Sequence, residues 1–199
     1  MRQRILFLLA VLVIASFAAA SAAQTRAGRL QFSLRDVDGV EHRQTEWAGK
    51  RAIVIFYATV DCPLSNGYVP EVNRVSKEYA GRGVAVYGVE TDTTLSAADV
   101  RRHAHEFQFA FPVLLDSRQY LAHLAGATAT PEVAVFSGAG ELLYLGRIDN
   151  RVEDFGAHRN VITQHDLRDA LDAILAGKPA PRPTTKVVGC AINYVTGKP

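Results

Sequence analysis

Residues 52–66 read Ala52-Ile53-Val54-Ile55-Phe56-Tyr57-Ala58-Thr59-Val60-Asp61-Cys62-Pro63-Leu64-Ser65-Asn66. The run Ala52–Tyr57 is continuously apolar, the pattern of a strand buried on both faces. A helix is predicted from Pro63, a residue suited to the first helical turn. Tyr68, Val72, Val75 and Tyr79 recur every three or four residues and mark its buried face, and Gly81 and Gly83 end it. Cys62 therefore stands where a strand hands over to a helix. Unpaired amides and the helix dipole favour a thiolate there, and the thiolate is the nucleophilic form. Ser65 and Thr59 can each turn a hydroxyl toward the sulfur, whereas the carboxylate of Asp61 opposes ionisation. The plainer reading is a small buried hydrophobe. Asp61 and Pro63 argue against it, because they put the cysteine on a turn rather than in an apolar stripe.

Working outward, strand-like and helix-like segments alternate. Leu30–Leu34 alternates in polarity, Asp38-Gly39 supplies a turn, and a second short strand follows, giving an N-terminal hairpin. Val84–Val89 is a second buried strand. Ser96 with Asp99 resembles a capping box opening a helix that runs to about Phe107. Val113–Leu115 reads as a short strand and Ser117–Ala125 as a short helix stopped by Gly126. Glu132–Phe136 and Leu142–Gly146 flank Gly138-Ala139-Gly140, a hairpin signal. Leu167, Ala170, Leu171, Ile174 and Leu175 form an amphipathic helix ended by Gly177. Parallel strands with crossover helices followed by an antiparallel hairpin predict a three-layer α/β/α fold with a mixed central sheet. Ile148 to about Thr163 is expected to be a long connection without periodicity, a candidate lid or binding loop. Lys178–Thr185, with Pro179, Pro181 and Pro183, is expected to be extended and stiff.

The chain has 199 residues, and Arg2 and Arg4 account for the whole excess of its 22 Lys and Arg over its 20 Asp and Glu. The rest is neutral, which argues against nucleic acid as a partner. At 48% hydrophobic and 21% charged residues, the composition excludes a disordered or collagen-like chain. Residues 1–23 read as a signal peptide: the two arginines, an apolar run over Ile5–Ile14, then small residues with cleavage motifs at Ala20/Ala22 or Ser21/Ala23. The alternative is an uncleaved anchor, the one route to a membrane. The expectation is an exported protein, periplasmic or secreted, with a domain over 24–177 and a proline-rich tail over 178–199. Two cysteines cannot build a four-thiolate zinc site but can form one disulfide in an oxidising compartment.

The segment from about Leu30 to Ala176 resembles the thioredoxin-like superfamily, in its redoxin branch (AhpC/TSA, with the peroxiredoxins and the extracytoplasmic thiol reductases). Phe56-Tyr57-Ala58-Thr59 ahead of Cys62-Pro63-Leu64-Ser65 is similar to the strand and active-site stretch of those reductases, where the motif is Cys-x-x-Cys. Pro70 matches the proline of the active-site helix. Thr130-Pro131 before Glu132–Phe136 looks like the cis-proline loop that faces the reactive sulfur, and Gly140 and Arg147 fall in the hairpin that follows. The resemblance implies substrate contacts at Thr130, Pro131 and Pro63. Two departures stand out. Ser65 occupies the second cysteine position, so no local dithiol can form. Ile55 stands where the peroxiredoxin pattern has proline, although Thr59 and Cys62 fit it, and Thr130-Pro131 stands near the place of the peroxide-orienting arginine.

Cys190, in Val188-Gly189-Cys190-Ala191-Ile192, is the remaining candidate. The path from Gly177 to Cys190 can reach about 40 Å at ~3.1 Å per residue, enough to return it over the domain face. The leading expectation is a thiol oxidoreductase in which Cys62 attacks a disulfide or a peroxide and Cys190 resolves the product. Its partners would be a thiol electron donor and a substrate protein disulfide or hydroperoxide, and no cofactor is called for. The alternatives are a peroxiredoxin-like thiol peroxidase and a non-catalytic binding or assembly module for a metal or a partner protein, with a structural disulfide. His42, His103, His105, His123, His158 and His165 show no metal-ligand spacing with a cysteine, so no metal ligand is assigned. Arg147, Asp149 and Arg151 alternate and either line the site or form a solvent-facing edge. Trp47 reads as a packing residue under the first hairpin.

Overall fold

The computed structural model describes residues 32–195. The expected leader, residues 1–23, lies outside them. The chain first forms a hairpin, β1 (Ser33–Arg35) with β2 (Glu41–Arg43), then a 3-10 turn over Gln44–Trp47. The central strands follow as β3 (Ala52–Ala58), β4 (Val84–Glu90) and β5 (Val113–Leu115), with α1 (Pro63–Ala80) and α2 (Ala97–Glu106) as the crossovers. Next come α3 (Tyr120–Ala125), the two-residue β6 (Ala129–Thr130), and the hairpin β7 (Glu132–Phe136) with β8 (Leu142–Gly146). A small hairpin, β9 (Val152–Asp154) with β10 (Ala157–His158), precedes α4 (Asp166–Leu175), and the tail ends in β11 (Cys190–Ala191).

The main sheet has the order β5-β4-β3-β7-β8. β3 runs parallel to β4 and antiparallel to β7, so the sheet is mixed and β3 is its middle strand. All seven residues of β3 are buried, which explains its unbroken apolar sequence. Alternate residues serve opposite faces. Ala52, Val54 and Phe56 join Tyr68, Val72, Val75 and Tyr79 of α1 and Leu167, Ala170 and Leu171 of α4 in one core cluster. On the other face Trp47 packs on Phe136, ring centroids 5.5 Å apart, and the Tyr57 hydroxyl donates to the Leu121 carbonyl of α3 at 2.9 Å. Arg168 of α4 bonds Glu71 of α1 at 2.9 Å, fixing the two helices that carry the first face.

One expectation needs correction. The helix expected from Ser117 begins at Tyr120, because the Asp116 carboxylate accepts the amides of Tyr120 (2.9 Å) and Leu121 (2.7 Å) and so caps the helix there. The stretch 148–163, without periodicity in sequence, carries a small hairpin. It holds β9 and β10, whose three and two residues are too short to show a period in sequence. The tail bends over residues 181–183 and meets the sheet only around Thr184. The Leu145 amide donates to the Pro183 carbonyl at 3.0 Å and the Thr185 amide to the Leu145 carbonyl at 3.2 Å, which lays the tail along the outer edge of β8. Gly146 permits this approach, since a Cβ there would fall 2.1 Å from the Thr185 hydroxyl. Among the described residues no helix is long and apolar enough to cross a membrane.

Candidate active site

β3 delivers the chain to its carboxyl end, and the Cys62 amide closes the turn by donating to the Thr59 carbonyl at 3.1 Å. Cys62 is the N-cap of α1, with extended backbone (φ −95°, ψ 102°), and Pro63 is the first helical residue. A proline there loses no hydrogen bond, since that amide has no partner within the helix in any case. Pro63 and Asp61 are exposed on the turn, while Cys62 is 0% exposed.

Cys190 covers it. β11 pairs antiparallel with β6, placing Cys190 opposite Thr130 and Ala191 opposite Ala129, and the Ile192 amide donates to the Thr128 carbonyl at 3.0 Å. Thr130 and Pro131 are buried and joined by a cis peptide bond. Gly189 lies so close to this loop that a Cβ would sit 2.2 Å from the Thr130 carbonyl oxygen. Both cysteines are free thiols, and the Cys190 thiol donates to Cys62 Sγ at 2.9 Å. Cys62 Sγ in turn donates to the Thr130 carbonyl at 3.1 Å.

The two sulfurs are electrostatically unequal. Burial pushes the Cys62 thiol up, but the Cys190 thiol, the Ser65 hydroxyl, Thr130 and the Ser65 amide together outweigh it, and its pKa falls to about 7. Cys190 moves the other way, to about 11, through burial and the neighbouring Cys62. The Ser65 hydroxyl has one proton and two claimants, the sulfur and the Cys62 carbonyl, to which it donates at 3.2 Å. The Thr130 hydroxyl is buried with no well-directed partner, so it is free to turn toward the sulfur once the thiol ionises and its bond to the Thr130 carbonyl is lost.

Thr59 is placed differently from the sequence expectation. Among the described residues no hydrogen bond joins its hydroxyl to Cys62 Sγ; the hydroxyl lies near the Glu90 carboxyl, and the bond between Thr59 and Cys62 runs from the Cys62 amide to the Thr59 carbonyl. Glu90, at the end of β4, was not singled out in the sequence. Its carboxylate accepts the amides of Val60 (3.2 Å) and Asp92 (2.8 Å), bracing the turn that carries Cys62. Burial nevertheless raises its pKa to about 7. A charged residue ending an otherwise apolar strand was the available signal. Arg147, Asp149 and Arg151 are neither a solvent edge nor in contact with the sulfurs. Asp149 accepts the Tyr68 hydroxyl at 2.9 Å and pairs with Arg151, and Arg147 bonds Asp166 at 2.7 Å, tying α1 and α4 to the strand beside Pro131. His103 is buried and bonds Asn66 at 2.8 Å. Among the described residues no group of three or more His, Cys, Asp or Glu could hold a metal ion.

The profile of the AhpC/TSA family matches residues 28–145, more than half of the chain and the whole path from the first hairpin through Cys62 to the cis-proline strand. The chain belongs to the AhpC/TSA family. It is thus a redoxin of the thioredoxin-like superfamily. Among curated family relatives, the thiol-disulfide oxidoreductase ResA of Geobacillus thermodenitrificans is 25% identical over 111 residues, which cover 56% of this chain and 62% of that protein. The chain spans between half and two thirds of the length of the curated relatives it matches. A hypothetical protein of Sinorhizobium meliloti superposes with a TM-score of 0.73 at 25% identity, covering 84% of this chain and 93% of that one. A secreted disulfide oxidoreductase of Mycobacterium tuberculosis shares the fold, with a TM-score of 0.52 at 18% identity over 75% of this chain and 98% of that one.

Proposed function

We propose that this redoxin is an exported thiol–disulfide oxidoreductase with Cys62 as nucleophile and Cys190 as resolving thiol. The observation that carries the reading is the pair of sulfurs 2.9 Å apart with opposite acidities, about 7 and about 11. A low-pKa thiolate attacks readily at neutral pH and also leaves readily. ResA, similar over 62% of its length, is named for this chemistry. Export rests on the leader-like composition of residues 1–23, and the working unit is then the domain over 24–177 with its tail over 178–199.

The cycle balances as follows. The Cys62 thiolate attacks one sulfur of a substrate disulfide; a Cys62–substrate disulfide forms, and the other substrate sulfur leaves as a thiolate that takes up a proton. Cys190 then loses its proton and attacks Cys62 Sγ, forming Cys62–Cys190 and expelling the second substrate thiolate. The substrate gains two electrons and the protein loses two, which a dithiol donor returns by reducing Cys62–Cys190. Ser65 and Thr130 stabilise the thiolate through hydrogen bonds, Pro131 and Pro63 border the sulfur on the substrate side, and Thr59 holds the turn through its carbonyl.

The test is turnover of a protein disulfide with a dithiol donor, alongside peptide mapping without reductant. The expected outcome is disulfide reduction together with a Cys62–Cys190 peptide in the oxidised protein. Consumption of hydroperoxide in place of disulfide would redirect the reading to a thiol peroxidase. Two alkylatable thiols after oxidation, with no turnover, would leave a binding module.

A further inference from the structure

Gln119 is a buried polar residue that the chemistry above does not use. Its side chain is 1% exposed, and its backbone is left-handed, φ +54°. Such a conformation is uncommon outside glycine, and it persists where surrounding contacts hold it. Those contacts join two parts of the site. The Gln119 side-chain amide donates to the Thr91 carbonyl at 2.8 Å and to the Asn193 carbonyl at 2.9 Å, and its side-chain oxygen accepts the Val195 amide at 2.9 Å. Thr91 is itself bound to the carboxyl end of β3, with its amide and hydroxyl on the Ala58 carbonyl at 3.1 and 3.2 Å. One side chain therefore links the end of the strand that delivers Cys62 to the tail just beyond Cys190.

The opposite side of Cys190 is secured separately, by Pro183 and Thr185 on β8. Between these fixings the tail crosses the cis-proline loop and covers Cys62. Beyond Cys190, Gln119 supplies two bonds to the tail, beside the Ile192 amide on Thr128 and the Tyr194 hydroxyl on Ala127 at 2.5 Å. We propose that Gln119 is a positioning residue: it latches the tail at Asn193 and Val195 so that the Cys190 thiol stays over Cys62. The proposal rests on the thiol cycle above and adds a control on it. Cys62 is 0% exposed under the latched tail, so a substrate disulfide reaches it only when the tail lifts. The resolving step needs the tail seated. The strength of the latch therefore divides time between admitting substrate and resolving it.

The experiment uses the full chain carrying Gln119→Ala or Gln119→Gly. Glycine adopts positive φ freely and lacks the side chain, so it separates the latch from the backbone conformation. Two quantities are measured: the alkylation rate of Cys62 in reduced protein, and the Cys62–Cys190 equilibrium against glutathione. Both variants are expected to alkylate faster at Cys62 and to lose about tenfold in the disulfide equilibrium, the size expected for two hydrogen bonds to the tail. The pH midpoint of Cys62 alkylation should also rise, as the Cys190 donor is less often present. Wild-type values for both quantities in Gln119→Gly would overturn the latch. If wild-type protein forms no Cys62–Cys190 disulfide at any glutathione ratio, the thiol cycle fails instead. The alkylation rates then still decide the latch: faster in the variants supports it, unchanged overturns it.

Discussion

Cys62 and Cys190 meet at 2.9 Å, yet opposite kinds of structure hold them. Cys62 is placed by local chain geometry: a buried strand, a turn closed on Thr59, and a proline that starts the helix. Cys190 is placed by bonds to residues far away in sequence, on β6, β8 and Gln119. The first arrangement forms with the core and moves with it. The second is a strap whose fixings can be loosened one at a time without touching the core. Cys62 is thus held by the core and Cys190 by separable bonds.

The largest expected effect breaks the pair outright. Cys62→Ser should bring disulfide turnover to background, whereas Cys190→Ser should permit the first exchange and stop there, leaving a mixed disulfide on Cys62 that mass spectrometry detects. Identical loss in both, with no trapped adduct, would mean that the two sulfurs do not divide the roles. Next in size is Gly189→Ala, which places a Cβ 2.2 Å from the Thr130 carbonyl. Either the strap or the loop must move, at about 1–3 kcal/mol. A faster Cys62 alkylation rate with a modest fall in Tm would show that the strap yields first.

Glu90→Gln examines the side held by the core. The folded-state pKa of Glu90, about 7, lies above its ordinary value of 4.5, so the protonated carboxyl is favoured in the folded protein. The stability Glu90 contributes is present at low pH and is lost as the pH rises from 4.5 through 7. Glutamine does not titrate. Its advantage over wild type should therefore grow across that window to about 1–3 kcal/mol and stay level above it, as read by urea unfolding at several pH values. An advantage independent of pH would show that Glu90 is not the titrating group. The smallest effect is expected from Ser65→Ala. It removes one of several groups that lower the Cys62 pKa, so the pH midpoint of Cys62 alkylation should rise modestly above about 7 while the fold is unchanged.

The same division between local and distant decides what could be read from the sequence. The placement of Cys62 was legible because every element of it is contiguous: apolar run, turn residues, proline, and a helical repeat in Tyr68, Val72, Val75 and Tyr79. Ser96 was legible as a cap because its partner, the Asp99 amide, lies three residues on. Gln119 left no such mark, since its partners Thr91, Asn193 and Val195 come from segments distant in the chain. Thr59 shows the same division: adjacency in sequence points its hydroxyl at the Cys62 sulfur, while the parallel pairing of Ala58 with Glu90 places a buried carboxyl beside the same turn. The length of the tail admitted a return of Cys190 to the site, but its seat beside Thr130 depends on a two-residue ladder that no periodicity reveals.

The proline-rich stretch has one further consequence. β8 closes one side of the main sheet, and a bare outer strand invites pairing with another molecule. Here the tail occupies that edge at Leu145, whose amide and carbonyl are already bonded to the Pro183 carbonyl and the Thr185 amide. The segment that carries the second thiol home also blunts that margin against sheet-to-sheet association. Shortening the tail would bare the β8 edge at Leu145 as well as remove the partner sulfur.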